Sequence, residues 1–264
     1  MRRPLPRRLR PGLPLRAIAP NVVTALALSA GLTGIRFAVS GDWQMTVVMV
    51  MAAGVLDGVD GRIARLLHGE SRFGAELDSL SDAIAFGVSP ALILYLWSLA
   101  SAPRFGWVAA LTFAIFCALR LARFNAAIDV VDQPHKSAGF LTGVPAPAGA
   151  VIVMTPLYLW FLTGASVLRQ PYIVGPWVFG IALLMVSSLA TFSWSSLRLR
   201  RTVRFEALAV IVAVGAALLS APWHMMIVLS LAYLASIPFS VRAYRRVKRP
   251  RGSGPGSVAP TGAA

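Results

Sequence analysis

The sequence predicts an all-α, polytopic membrane bundle of about eight transmembrane helices. Three observations carry that prediction. Of 264 residues, 57% are hydrophobic and only 13% are charged, with a mean hydropathy of +0.70. A water-soluble domain of this length needs more charge to cover its surface. Uncharged runs near bilayer-spanning length recur along nearly the whole chain, and helices satisfy their own backbone in lipid. Finally, the basic residues gather between those runs.

The spans follow from the stretches between charges. Residues 1–16 form a basic tail with six arginines, 17–241 a single transmembrane domain, and 242–264 a second tail, basic and then low-complexity. The first span is 17–35. Its arginine-rich approach and ALALSA stretch look like a signal peptide, but seven further spans follow, so it reads as an uncleaved helix. Residues 43–56 form the second span and continue helically into LDGVDGRIARLLHGESRFGAELDSLSD (56–82). The third runs from near Gly74 to about Ala100, kinked at Pro90, and the fourth covers about 105–122.

The uncharged run 138–168 holds a re-entrant or loop segment, GFLTGVPAPAG, before the fifth span; the sixth is about 171–192. The last uncharged run, 207–241, has 35 residues. As one helix it would measure roughly 52 Å, against a hydrocarbon core of about 30 Å, so SAPW (220–223) is read as a break between two short helices.

The net charge of +15 raises the question of nucleic acid. Its distribution answers it. With the amino terminus inside, 22 of the 25 Lys and Arg residues fall on the cytoplasmic side, in 1–16, 62–72, 120–136, 198–204 and 242–251, and only Arg36, Arg104 and Arg169 lie outward. That is the positive-inside pattern of a cytoplasmic (inner) membrane protein with both termini cytoplasmic. Its charge partners are anionic lipid headgroups and not nucleic acid. Trp43, Trp97 and Trp223, near span ends, read as interfacial anchors. Cys117 is the single cysteine, which excludes an intrachain disulfide. His68, His135 and His224 stand apart from the acidic cluster and receive no role.

Four aspartates between apolar runs need a reason. Asp57 and Asp60 are three apart and Asp78 and Asp82 four apart, so each pair shares a helix face. A turn around HGES (68–71) makes the helices antiparallel and lets the pairs converge. Four ionised carboxylates crowded in a poorly hydrated site are strongly unfavourable. Two divalent cations offset the charge, and oxygen-only ligands favour Mg²⁺ or Mn²⁺. Carboxylate-held cation pairs serve phosphoryl chemistry. Gly61, Ala64 and Gly74 leave room for a phosphate-bearing ligand, and Arg65 is placed to pair with a phosphate. The alternative is structural, with the acids pairing Arg62, Arg65 and Arg72 to anchor the hairpin.

The spacing D57-x2-D60-G61-x2-A64-R65-x8-G74-x3-D78-x3-D82 resembles the signature of the CDP-alcohol phosphotransferases, with every fixed position present. The resemblance implies that Asp57, Asp60 and Asp78 ligate the cations, and that Asp82 completes the metal site and acts as general base. It implies that Gly61, Arg65 and Ser71 contact the CDP moiety, as does the start of the first span from Asn21 to Thr24. On residue type alone, Asn21 and Thr24 also read as ordinary helix-start residues. A homodimer is implied as well.

ALRLARFN (118–125), GVPAPAG (143–149) and the opening LPLRAIAPNVVTALALSAGLTGI resemble the branch of this family whose acceptor is L-serine. That resemblance covers most of residues 14–150. It implies transfer of the phosphatidyl group of CDP-diacylglycerol to the serine hydroxyl, with release of CMP. A zwitterionic acceptor needs a cation for its carboxylate, and Arg120 and Arg123 are suitably placed, or are simply juxtamembrane arginines. Asn125 is placed either to accept from the ammonium group or to end its helix. The rival readings are another acceptor (glycerol-3-phosphate, an inositol phosphate or choline) and a divalent-cation transporter. The transporter reading predicts acids spread through the bilayer depth.

Overall fold

The computed structural model describes residues 15–67, 71–126, 140–192 and 204–248. In chain order these form α1 (Leu15–Val39), α2 (Trp43–Leu67), α3 (Arg72–Asp82), a π-helical turn (Ala83–Val88), α4 (Ser89–Trp97) and α5 (Pro103–Ala126). Then come β1 (Phe140–Thr142), α6 (Ala146–Val153), α7 (Thr155–Thr163), α8 (Pro171–Val186), β2 (Ala190–Phe192), α9 (Arg204–Ser220) and α10 (Pro222–Lys248). The helical membrane class is as predicted. Among the described residues, five segments are long and apolar enough to cross a membrane: Ile18–Val39, Arg72–Trp97, Pro103–Ala126, Ala146–Thr163 and Pro222–Arg242. By that measure the expected eight is not reached, because α8 and α9 have only 16 and 17 residues and α2 carries the charged motif. The terminal tails 1–14 and 249–264, with His68 and His135, lie outside the described residues.

Helices α1 and α2 form the most extensive pair. Gly41, at φ +76°, supplies the left-handed residue that the tight turn between them requires. Asp42 then starts α2 by accepting the Met45 N–H at 3.0 Å on Oδ1. The kink expected at Pro90 takes a specific form. Proline has no N–H and crowds the carbonyl four residues back, so an undistorted α-helix cannot pass through it. Here the ladder widens before the proline into the π-helical turn Ala83–Val88, and the Ser89 N–H bonds Ile84 O. Helix α3, the π-helical turn and α4 follow one another without a break as the helical segment Arg72–Trp97.

Proline also explains the break between α6 and α7. Pro156 leaves the Ile152 carbonyl without its helical donor. Thr155 Oγ1 donates to it at 2.6 Å and Trp177 Nε1, from α8, at 3.2 Å. The SAPW break is found where expected, between Ser220 and Pro222, but α10 is not short, running 27 residues to Lys248.

Three further expectations need correction. The sixth span stops at Val186 and gives way to β2, which pairs antiparallel with β1 in the register Phe140–Phe192, Leu141–Thr191 and Thr142–Ala190. The all-α description therefore omits one short ladder. It ties the segment before α6 to the end of α8. Trp97 is not an interfacial anchor on the surface. It is 1% exposed and packs edge-on against Trp160, within the same hydrophobic core as Phe113, Leu157 and Tyr158. Its ring fills space between helices, which burial favours over lipid contact in so large a side chain.

The first helix crosses the π-helical turn at close range. A Cβ on Gly31 would lie 2.9 Å from both Ala85 Cα and Cβ, so the backbones would have to separate. Gly31→Ala is expected to cost about 1–3 kcal/mol through overpacking. The check is a lower thermal unfolding midpoint in detergent, with Gly180→Ala, which meets open space, as the control.

Candidate active site

The antiparallel run of α2 into α3 does bring the acidic pairs together. One carboxylate oxygen from each of Asp57, Asp60 and Asp78 lies within 4.8 Å of the other two. Asp60 is buried at 4% exposure, and Asp57, Asp78 and Asp82 are half-buried. Asp82 stands outside that trio, but its carboxyl group is in hydrogen-bonding contact with that of Asp57. Each pair lies on one face because of its i,i+3 or i,i+4 spacing; the convergence comes from the hairpin.

Helix α1 closes the third side. Thr24, 4% exposed, donates its hydroxyl to Asp60 Oδ2 at 2.7 Å, and its carbonyl accepts from Ser81 Oγ at 3.3 Å. Ser71 caps α3 by accepting the Gly74 N–H on Oγ at 3.0 Å. Gly74 is where α1 and α3 meet: a Cβ there would lie 2.8 Å from Asn21 Oδ1 and 3.1 Å from Ser71 Oγ.

Between these elements lies a cavity of about 220 Å³. Its walls include Asn21 and Thr24 from α1, Gly61 and Ala64 from α2, and Ser71 and Gly74 at the start of α3, with Asp60 and Asp78 among its polar atoms. Six residues predicted to hold the CDP-lipid thus share one wall. Pro20 and Ala75 complete it and were missed in the sequence; each adjoins a predicted residue. Arg65 Nη1 lies 3.7 Å from the position a Cβ on Gly61 would take, so its guanidinium folds back over Gly61 beside the cavity.

Three clustered carboxylates with oxygen-only donors fit a hard divalent cation. The structural alternative finds no support: among the described residues, no ion pair joins Arg62, Arg65 or Arg72 to these aspartates.

The three residues expected at the acceptor behave differently from one another. Arg120 on α5 is buried at 8% exposure, its Nε has no hydrogen-bond partner, and Asp82 and Tyr233 are among the groups that act on it electrostatically. Arg123 is exposed and caps α8, donating from Nη1 to Val186 O at 2.9 Å and from Nη2 to Ser187 O at 3.1 Å. In this structure it joins α5 to α8, a use of its cation at a helix C-terminus. Asn125 Nδ2 donates to Ser79 Oγ at 2.8 Å, which places it beside the Asp78–Asp82 helix.

A carboxylate trio with a small-residue cavity alongside thus lies among apolar helices long enough to cross a membrane. Residues 17–187 match the CDP-alcohol phosphatidyltransferase family, and 205–238 match a second family description, CDP-alcohol phosphatidyltransferase 2. The chain belongs to the CDP-alcohol phosphatidyltransferase family. It is 40% identical over 228 residues to the CDP-diacylglycerol–serine O-phosphatidyltransferase of Mycobacterium tuberculosis, covering 86% of this chain and 79% of that protein. The Helicobacter pylori protein of the same name is 43% identical over 135 residues, covering 51% of this chain and 55% of its own length. The archaetidylserine synthase of Methanothermobacter thermautotrophicus is 31% identical over 179 residues, 64% of this chain and 67% of that protein.

Proposed function

We propose that this chain is a phosphatidylserine synthase: it transfers the phosphatidyl group of CDP-diacylglycerol to the hydroxyl of L-serine, giving phosphatidylserine and CMP. One observation carries the reading. The acidic trio lies beside a cavity walled by small residues, while a buried arginine with an open donor stands near Asp82. The names of the 40%-identical relatives support serine as the acceptor.

Asp57, Asp60 and Asp78, completed by Asp82, are the residues that would hold two divalent cations, Mg²⁺ or Mn²⁺. Such cations supply charge neutralisation on the diphosphate and on the departing CMP. Gly61, Ala64 and Gly74 admit the nucleotide close to the backbone, Asn21 and Ser71 offer polar contacts to it, and Arg65 reaches its phosphates. Arg120 takes the serine carboxylate. Asp82, set apart from the trio, takes the proton of the serine hydroxyl as that oxygen attacks the phosphorus bearing the lipid. The bond from that phosphorus to the CMP oxygen breaks, and CMP leaves. Asn125, tied to Ser79, positions the end of α5 against α3, and Arg123 fixes the same end to α8.

The basic clusters support an orientation with both termini and the site at the inner face of the cytoplasmic membrane, against anionic headgroups. With the site at headgroup depth, the diacylglycerol tails stay in the bilayer. Even crossing between basic clusters supports α2, α8 and α9 as further spans, making eight. The family resemblance supports a homodimer.

The test is acceptor choice. Purified protein with CDP-diacylglycerol and Mn²⁺ is expected to release CMP with L-serine and not with glycerol-3-phosphate, inositol phosphate or choline. Release with glycerol-3-phosphate but not serine would overturn the assignment.

A further inference from the structure

We propose that Thr24 is a positioning residue for the cation site, setting the separation of the two carboxylate-bearing helices instead of serving as a nucleotide contact. Its hydroxyl donates to Asp60 on α2 at 2.7 Å, and its backbone carbonyl accepts from Ser81, next to Asp82 on α3, at 3.3 Å. Thr24, Asp60 and Ser81 are all at least nine-tenths buried, at 4%, 4% and 3% exposure. One residue of α1 is therefore bonded to both helices that supply the acids.

A hydroxyl carries one proton. Thr24 Oγ1 also lies 3.1 Å from Pro20 O, the usual resting partner of a threonine four residues on in a helix. The carboxylate contact is shorter and charge-assisted, so the proton is directed to Asp60. That holds the Asp60 carboxylate in one orientation, with an oxygen within 4.8 Å of those of Asp57 and Asp78. Ligating carboxylates are held by such outer hydrogen bonds, whose loss typically weakens metal binding about 10–100-fold. The methyl group of threonine restricts rotation about χ1, so the donor is held ready before any ligand arrives.

This inference rests on the reading that the aspartates hold cations, and the experiment separates the two. Mn²⁺ binding to purified protein in detergent is measured by electron paramagnetic resonance with no CDP-lipid present. The proteins compared are wild type, Thr24→Val, Thr24→Ala, Thr24→Ser and Asp78→Asn. Wild type is expected to bind Mn²⁺, with Asp78→Asn losing it. Thr24→Val and Thr24→Ala should bind at least about tenfold more weakly, and Thr24→Ser, which keeps the donor, within about threefold of wild type. A nucleotide-contact role predicts unchanged Mn²⁺ affinity in all three Thr24 variants, and that result overturns the proposal. So does equal weakening in Thr24→Ser and Thr24→Ala, since the hydroxyl would then be irrelevant. Failure of wild type to bind Mn²⁺ instead overturns the metal reading itself. If Thr24→Val does not yield a monodisperse protein, the Thr24→Ala and Thr24→Ser comparison decides alone.

Discussion

Asp82→Asn is expected to lower the rate of CMP release by about 10²–10⁴-fold, the range a general base contributes. Affinity for CDP-diacylglycerol should remain within a few-fold of wild type. The geometry behind this is the division among the four acids. Asp57, Asp60 and Asp78 offer oxygens within 4.8 Å of one another, whereas Asp82 stands outside that set, with its carboxyl group against that of Asp57. Asparagine has nearly the same shape and can donate its amide to Asp57, so the trio should survive the substitution. What disappears is the capacity to take a proton. Turnover under saturating serine and equilibrium binding of CDP-diacylglycerol are measured on the same preparation. Parallel loss of both would assign Asp82 to holding the diphosphate. Turnover within about threefold of wild type would place the base elsewhere.

The aspartate cluster was legible because helix periodicity is local. Spacings of three and four residues put side chains on one face wherever the helix forms, and the short HGES connection left only an antiparallel hairpin. The small residues Gly61, Ala64 and Gly74 were legible for the same reason, and they share the cavity wall. Contacts set by tertiary adjacency were not. Thr24 and Asp60 are separated by 36 positions, and no periodicity links them. Arg123 read equally well as a ligand for a carboxylate or as a surface cation; only the arrival of the α8 C-terminus, at Val186 and Ser187, decides its partners. Trp97 shows the limit of the aromatic-belt rule. A tryptophan near a span end is placed by sequence at interfacial depth, but whether it faces lipid or protein depends on what packs beside it, here Trp160. Pro90 pointed to a kink; the structure has a π-helical turn just before it, with α1 lying against Ala85 at Gly31, a contact that local sequence does not encode.

Arg120→Gln is expected to reduce kcat/KM for L-serine by roughly 10–150-fold, the equivalent of about 1.5–3 kcal/mol for a charged hydrogen-bonding partner. KM for CDP-diacylglycerol should barely change. Burying a guanidinium in a membrane bundle is costly, and such a group is rarely left with an open donor unless a ligand completes it. Arg120 is 8% exposed with Nε unpartnered, and Asp82 is among its electrostatic neighbours. An amino-acid acceptor bound there would set its carboxylate on Arg120 and its hydroxyl towards the base. Serinol, which replaces that carboxylate with a neutral hydroxymethyl group, separates recognition from structure. Wild type should use serinol poorly, and Arg120→Gln should use it about as well as wild type does. A purely structural arginine would instead cost both acceptors equally and lower the unfolding midpoint. Arg123→Gln, which removes the cap on α8, is the matched control: it should lower the midpoint without changing the ratio of serine to serinol turnover. Equal losses for serine and serinol in Arg120→Gln would remove Arg120 from the acceptor site.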